Sequence, residues 1–290
     1  MIGNRTYGMA AAVLALAACS AASQDESEAV AYDAIPPEIT EHMGQPAVLV
    51  FSKTMSWRHD EGIAGADLFF VRLANEKGWG IYTTENGAVF TPEILDRFAV
   101  VVFNNVTGDT LSPKQRATFE AWVESGGGFI GLHGSGDSSS EEWAWYRERL
   151  IGPDYMNHIF DPQFQEARVE ILRPDHPVAA DLPSEWMQEE EWYTFYSNAG
   201  DEGFTTILGL DEKTYEAWNE VWEPGPDLRM GDEPKDHPIV WANCPGDGRS
   251  VYSAIGHQYT AYEVEPYAEL LRNAFAWVAK ETDADGEGCP

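Results

Sequence analysis

Gly126-Gly127-Gly128-Phe129-Ile130-Gly131-Leu132-His133-Gly134-Ser135-Gly136 is the stretch of this sequence that decides its fold. A short apolar strand runs directly into a glycine-rich turn, and the first side chain after the strand is His133. A sharp turn after a strand resembles a nucleophile elbow, which holds one reactive group above the edge of a sheet. Here that group is an imidazole, where an acyl-transfer enzyme carries serine or cysteine. The stretch predicts a catalytic site at His133 and argues against acyl-enzyme chemistry.

Apolar runs on both sides of this turn predict alternating strands and helices. Ala47–Phe51 and Ala99–Phe103 are continuously apolar, as expected for strands that are buried on both faces. Residues 62–77 between them have helical spacing, and Ser112-Pro113 is typical of the start of another helix. Later elements are expected at 205–208, 238–242 and 250–255 (strands, the last two as a hairpin) and at 267–280 (a helix). The pattern predicts an α/β fold, a flavodoxin-like three-layer sandwich with a mostly parallel sheet.

The segment from Trp143 to about Asn198 breaks this alternation. It is rich in Trp, Tyr, Pro and Glu, and we interpret it as an aromatic and acidic excursion over the C-terminal edge of the strands. Ligands of open α/β sheets bind at that edge. The possible stacking platforms for a sugar in this half of the chain are Trp143, Trp145, Trp186, Trp192, Trp218 and Trp222.

Several polar side chains follow directly after the predicted strands. The first strand leads to Lys53 and, after a loop, to His59, and the next apolar strand ends at Asn104. The elbow strand ends at His133, and the last hairpin strand leads to His257. Because the carboxyl ends of parallel strands share one edge, three of the seven histidines are expected on one rim.

The excursion adds further candidates for the same rim. They are His158 and an acidic run, Glu189–Glu191, that stands beside Trp192 and Tyr193. We predict a catalytic group of His133, His257 and Glu191. The predicted substrate-binding residues are Lys53, His59, Asn104, His158, Glu190, Trp192 and Tyr193. His176 and His237 each precede a proline and are interpreted as turn residues.

Charge excludes one class of partner. The chain has 49 acidic and 18 basic residues, a formal net charge of −31. Nucleic acid is therefore excluded as a partner, since its binding requires a basic surface. Apart from Cys19, only Cys244 and Cys289 are present, so one disulfide can form, and the sequence leaves open whether it does.

The N-terminal residues are typical of an exported lipoprotein. Residues 1–18 contain Arg5 and a short apolar stretch, and Leu16-Ala17-Ala18-Cys19 matches a bacterial lipobox, which predicts lipidation of Cys19. An ordinary secretory signal is the alternative. Residues 19–45 are predicted as a flexible acidic tether, 46–281 as the folded domain and 282–290 as a disordered tail. We expect the domain to face the periplasm, anchored by lipid, at the outer membrane.

The motifs together resemble the ThuA-like (trehalose-utilisation) family over about Gln45 to Lys280. The resemblance is carried by Phe51–Lys53 with Trp57–His59, Gly126–His133, Glu190–Tyr193, Leu210–Tyr215, His237–Trp241 and Gly248–Ser250 with Gly256-His257. It implies a class I glutamine-amidotransferase-like fold, in which a cysteine nucleophile stands where this chain has His133. It also implies a role in sugar utilisation, particularly of disaccharides and their 3-keto derivatives. Glu190 departs from the aspartate that is more common in the family.

Three hypotheses about the chemistry follow from these residues. The first is acid/base chemistry on a sugar, with His133 and His257 as the exchangeable pair and Glu191 as the orienting carboxylate. The second is a Zn²⁺ or Mn²⁺ site formed by His59, His133, His158 and His257 together with Glu191. The third is a glycan-binding module without catalysis. A glycosidase with paired carboxylates has less support, because the sequence places no two carboxylates at a defined separation.

Overall fold

The computed structural model describes residues 3, 31–137, 143–219, 226–282 and 289. The predicted signal peptide apart from Gly3, the lipidation site Cys19 and Trp222 lie outside the described residues. Within the described part of the chain, no helix combines the length and the apolar character that crossing a membrane requires.

Strands and helices alternate through the first half of the chain, and strands dominate the second. The strands are β1 (Ala47–Phe51), β2 (Gly80–Thr84), β3 (Val100–Asn104), β4 (Gly128–Leu132), β5 (Tyr155–His158), β6 (Gln165–Ile171), β7 (Glu185–Glu190), β8 (Tyr193–Phe195), β9 (Thr205–Asp211), β10 (Pro238–Asn243) and β11 (Arg249–Ser253). The helices are α1 (Asp60–Lys77), α2 (Pro92–Leu95), α3 (Pro113–Glu124), α4 (Ala144–Tyr146) and α5 (Glu265–Val278).

A single large sheet organises the fold. Among the described residues its nine strands have the order β2-β1-β3-β4-β11-β10-β9-β6-β7. The pairs from β2 to β11 are parallel, and those from β11 to β7 are antiparallel. The flavodoxin-like sandwich is thereby confirmed, and its parallel half contains the strand that ends at His133. The hairpin of β10 and β11 is also present as expected.

Helices cover both faces of the parallel half. On one face α1 and α5 pack together, with the ring centroids of Phe70 and Phe275 6.3 Å apart. On the other face α3 stacks Phe119 on Phe103 of β3, with centroids 5.1 Å apart. A capping box between Ser112 and Gln115 begins α3, as Ser112-Pro113 predicts. The apolar strands β1, β3 and β4 are therefore enclosed between helices, which explains why they are apolar on both faces.

The excursion forms two separate β structures, which its sequence did not distinguish. Its strands β6 and β7 extend the main sheet through β9, so this part adds to the sheet. Its strands β5 and β8 form a separate two-stranded ribbon, which brings His158 and Tyr193 to opposite positions of one register. The ribbon is the part that lies over the C-terminal edge of the parallel strands.

Described residues on either side of the predicted domain make defined contacts with it. Within the predicted tether, Asp33 accepts hydrogen bonds from Lys53 Nζ at 2.7 Å and from the Gly87 amide at 2.8 Å. Asp33 of this segment is thus paired with a basic residue of the domain. At the other end, Cys289 forms a disulfide with Cys244, which settles the pairing that the sequence left open.

Candidate active site

His133 occupies the tip of a strained turn at the end of β4. Its φ is +40°, a left-handed value that is uncommon for a residue with a side chain. The turn is held because the His133 carbonyl accepts a hydrogen bond from Tyr252 Oη at 2.9 Å. The ring is held as well, since Nδ1 lies 2.7 Å from the carbonyl oxygen of Ala254. These bonds point Nε2 of a fully buried imidazole away from the sheet.

His59 approaches the same point from the residue before α1. It is buried, and its Nδ1 has no hydrogen-bond partner. Its Nε2 lies 3.5 Å from the hydroxyl of Tyr193, whose ring stacks on His133 at a centroid distance of 4.1 Å. Gly134 makes room for His59, because a Cβ at Gly134 would lie 2.7 Å from Nδ1.

Glu190, the last residue of β7, and Glu191, the residue after it, have different roles. The buried carboxylate of Glu190 accepts hydrogen bonds from the amides of Glu191, Gly256 and His257 at 2.9, 2.9 and 3.2 Å. Glu190 therefore holds the turn that carries His257. The carboxylate of Glu191 points into the cluster, where Oε2 lies 3.0 Å from His257 Nδ1 and 3.2 Å from His133 Nε2.

The result is a compact cluster of three imidazoles and one carboxylate, which we call the His₃Glu cluster. One ligand atom from each of its residues lies within 4.8 Å of all the others. The residues are His59, His133, Glu191 and His257. His133 Nε2 and His257 Nδ1 are 3.2 Å apart, which completes a triangle with Glu191 Oε2. Such a group can exchange protons internally or hold a cation.

The electrostatics of the cluster follow from burial and from Glu191. Burial, helped by the neighbouring ring of His133, lowers the pKa of His59 to about 2. Burial also lowers the pKa of His133, because it outweighs the attraction of Glu191. His257 is less buried, so although burial opposes it, the hydrogen bond to Glu191 raises its pKa. Burial opposes ionisation of Glu191 too, but the two bonded histidines hold its pKa well below the usual range.

Burial raises the pKa of Glu190 to about 7, although the amides that it accepts from act in the opposite direction. The two adjacent carboxylates thus have different surroundings: Glu191 faces imidazoles, and Glu190 faces backbone amides.

The mouth of the cluster is lined by residues of the excursion. The side chains of His257 and His158 are 15% and 12% exposed, whereas that of His133 is fully buried. His158 Nδ1 lies 3.2 Å from Glu191 Oε1, and the same oxygen accepts a hydrogen bond from Gln163 Nε2 at 2.5 Å. Phe164 packs its ring on His257 at a centroid distance of 5.0 Å. A substrate would therefore reach His257 and His158 first.

Some predicted substrate-binding residues have other partners. Lys53 is paired with Asp33, as described above. Asn104 is fully buried and donates to the Ile63 carbonyl and to Asp67, both at 3.0 Å. Trp192 is 2% exposed and donates its indole N–H to the Gln165 carbonyl at 2.8 Å. In this structure these three side chains are bonded to other residues of the protein, so their role in substrate binding stays a prediction.

Of the other predicted residues, the structure brings His133, His257, Glu191, His59, His158 and Tyr193 together, with Glu190 directly behind them. Gln163, Phe164 and the Ala254 carbonyl were missed. Gln163 and Phe164 stand in a stretch without a motif, so only their closeness to His158 could have indicated them. His237 is buried between Glu212 and the Tyr193 carbonyl, outside the cluster.

Comparison with known proteins agrees with this architecture. The family model described as ThuA, trehalose utilisation, matches residues 47–278. A ThuA-like protein from Bacteroides uniformis is similar with a TM-score of 0.69 and 23% identity, covering 84% of this chain and 95% of the other. A second ThuA-like protein, from Parabacteroides merdae, has a TM-score of 0.59 and 15% identity, covering 83% and 92%.

A cytoplasmic protein of Salmonella typhimurium, STM3548, is more distant, with a TM-score of 0.50 and 11% identity over 80% of this chain and 98% of the other. No curated protein sequence matches this chain. At these identities the structural likeness establishes the fold alone.

Proposed function

Because this chain belongs to the ThuA family of trehalose utilisation, we propose that it is an enzyme of carbohydrate utilisation that moves a proton on a carbonyl-bearing sugar. The substrate class is a disaccharide or glycoside in its 3-keto form. The observation that carries the proposal is the His₃Glu cluster, in which an imidazole at a strained turn and a carboxylate both hold Nδ1 of His257. A ring held in this way is oriented as a general base is.

The reaction needs few groups. A carbonyl acidifies the neighbouring C–H bond, whose electron pair forms a carbon–carbon double bond while the carbonyl π pair moves to oxygen. The proton passes to His257, the most exposed member of the cluster. In an isomerisation, the proton returns to the former carbonyl carbon, while the hydroxyl on the deprotonated carbon passes its proton to the enolate oxygen and becomes the new carbonyl. In an elimination, the electron pair on the enolate oxygen re-forms the carbonyl and the carbon–carbon double-bond pair shifts to the anomeric carbon. The glycosidic oxygen then leaves with its own bonding pair and takes up the proton held by the imidazole.

Exposed aromatic rings beside the cluster in sequence support a sugar as the substrate. Trp57, two residues before His59, is 70% exposed, and Phe160, two residues after His158, is 45% exposed. Large exposed aromatic side chains are suited to stacking on the C–H face of a pyranose. Trp192, which follows Glu191 in the sequence, is not available to stack on a sugar in this structure, because its side chain is buried.

The proposal is tested by NMR in deuterated buffer with a panel of disaccharides and their 3-keto forms. We expect deuterium uptake or a new product for at least one sugar, lost in His257→Gln and in Glu191→Gln. His42→Gln is the matched control, because His42 is an exposed histidine that does not belong to the cluster. Hydrolysis without isotope exchange at carbon contradicts the proton-transfer reaction. Saturable sugar binding without any turnover contradicts an enzyme and favours the glycan-binding module.

We also propose that the domain acts outside the cytoplasm as a lipid-anchored protein. The lipobox at Cys19 and the disulfide between Cys244 and Cys289 support this, since disulfides persist in oxidising compartments. Radiolabelled palmitate supplied to expressing cells should be incorporated into the chain and lost in Cys19→Ala. Incorporation that is equal in both chains, or absent from both, contradicts the lipid anchor.

A further inference from the structure

Two acceptor atoms and one nitrogen of His257 meet at the centre of the His₃Glu cluster. His133 Nδ1 faces the Ala254 carbonyl, which only accepts, so Nδ1 carries the hydrogen and Nε2 of the neutral ring presents a lone pair. That lone pair lies 3.2 Å from Glu191 Oε2, which is also an acceptor. His257 Nδ1 can bring one hydrogen to this triangle at most. Buried acceptors in contact repel each other unless a proton or a cation lies between them.

In His133 and Glu191 the second polar atom is occupied in the way that metal ligands show. A ligating histidine typically donates its other ring N–H to a carbonyl, as His133 does to Ala254. Glu191 Oε1 is held by Gln163 and His158, which leaves Oε2 for the centre. His59 adds an independent observation, because a buried ring nitrogen without a partner is costly unless something binds there.

The spacing of the ligand atoms agrees with a metal ion. Bonds of about 2.0–2.1 Å place the corners of a tetrahedron roughly 3.3 Å apart. The three edges between His133 Nε2, His257 Nδ1 and Glu191 Oε2 measure 3.2, 3.2 and 3.0 Å. One ring nitrogen of His59 is within 4.8 Å of all three, so a movement of up to roughly 1.5 Å would bring it to the fourth corner.

We propose that His59, His133, Glu191 and His257 bind a divalent transition-metal ion of the Zn²⁺ or Mn²⁺ class. Three imidazoles and one carboxylate are a donor set that such ions accept. The single negative charge of Glu191 then faces a cation in place of a shared proton. Resting on the proposed function, the ion would bind the carbonyl oxygen of the keto sugar as a further ligand, which increases the acidity of the neighbouring C–H. A neutral His257 bound to the ion through Nδ1 carries its hydrogen on Nε2, so in the loaded site His158 at the mouth would take the proton instead.

The site also explains why the cluster is assembled from four separate segments. His59 precedes α1, His133 follows β4, Glu191 follows β7 and His257 follows β11. Glu190 fixes the turn of His257 from behind without entering the ligand set. Each ligand is thus delivered by a different, independently anchored element, which is the condition for a preorganised site.

Metal binding is measured first without any sugar. The full chain, purified without chelators, is analysed for metal content, then stripped with EDTA and titrated with Zn²⁺ and with Mn²⁺ by calorimetry. We expect one equivalent of one of these ions, bound at least 10-fold more weakly by Glu191→Gln and by His59→Gln. His176→Asn is the matched control, because it changes a buried histidine outside the cluster whose Nδ1 caps a turn, a task that asparagine can keep.

Circular dichroism and thermal unfolding of each variant establish that it is folded, and in the wild-type chain the bound ion should raise the unfolding midpoint. Equal binding by wild type, Glu191→Gln and His59→Gln overturns the site, as does the absence of any stoichiometric binding by a folded wild-type chain.

The deuterium exchange of the sugar separates this proposal from the proposed function. Exchange that is lost on stripping and restored by the ion supports both. Exchange that continues in the stripped chain overturns the role of the ion in the reaction and leaves proton transfer standing. Stoichiometric binding at the cluster without any exchange supports the metal site and contradicts the proposed function.

Discussion

Replacement of Gly134 by alanine tests whether His59 must stand where the structure places it. A Cβ at Gly134 would lie 2.7 Å from His59 Nδ1 and 2.8 Å from Cε1. A relaxed contact is about 3.5 Å, so the ring must retreat by roughly 0.8 Å. The backbone itself can accept alanine, because only a positive φ would strain it and Gly134 has none. Gly134→Ala is therefore a perturbation of the cluster through one side chain.

Two magnitudes follow from this displacement. Overpacking of a buried site costs about 1–3 kcal/mol, which lowers the unfolding midpoint of a domain of this size by roughly 3–10 °C. A displacement approaching 1 Å at a reaction centre costs up to about 100-fold in turnover. We expect both effects, measured by thermal unfolding and by the rate of deuterium uptake into the sugar. Gly200→Ala is the control, because Gly200 is an exposed turn residue.

A double-mutant cycle decides whether the cost arises at His59. In a His59→Ala background the clash is removed, so Gly134→Ala should lose more than half of its effect on the free energy of unfolding. The remaining close atom, Thr107 Cγ2 at 3.3 Å, leaves a small residual cost. An equal cost in both backgrounds, or full activity in Gly134→Ala, would refute the placement of His59.

Further predictions concern residues around the cluster and at the ends of the domain. Glu190→Gln turns an amide NH₂ towards backbone donors, so we expect a loss of about 1–3 kcal/mol in unfolding free energy and, with it, slower turnover through a misplaced His257 turn. Replacing Cys244 and Cys289 by alanine opens a link across 45 residues and should cost about 4 kcal/mol on the chain-entropy model, with no further loss when reductant is added. Burial opposes ionisation of Asp33, but the bonds from Lys53 and the Gly87 amide outweigh it and lower the pKa of the Asp33 carboxyl. The ionised carboxylate therefore stabilises the folded protein above pH 3.8, its ordinary pKa, and this stabilisation is lost as the pH falls. Asp33→Asn should therefore cost about 1 kcal/mol at neutral pH and flatten this acid dependence; unchanged urea midpoints at pH 7 would contradict it.

Local sequence was sufficient for the parallel half of the sheet. Ala47–Phe51 is β1 as predicted, β3 begins within one residue of its predicted start, and β4 ends at Leu132, directly before His133, as predicted. Each of these strands is enclosed by helices on both faces, so its apolar character is visible without knowledge of its neighbours. Glycine and serine marked the ends of elements for an equally local reason, since backbone conformation and capping depend on adjacent residues.

The antiparallel half of the sheet was harder to predict from local sequence. Strand β7, Glu185–Glu190, is mostly polar, and it is an edge strand that pairs only with β6. Edge strands do not need to be apolar on both faces, so composition says little about them. Pairing between β6 and β9 joins segments that are far apart in sequence, and no local pattern specifies such a partner. The sequence therefore predicts that the whole excursion covers the C-terminal edge of the strands, whereas its strands β6 and β7 continue the sheet.

The sequence by itself determined that His133 stands on a tight turn after a buried strand, and that Glu191 and His257 belong to other segments near the same edge. Only the tertiary structure decided the distances of 3.0–3.2 Å between them. It also decided that His59 Nδ1 is buried without a hydrogen-bond partner and that Lys53 forms an ion pair with Asp33. The physical reason is that turns and buried strands are set by interactions between neighbours in the chain. Ion pairs and convergent imidazoles depend on the packing of four segments, each placed by the rest of the core.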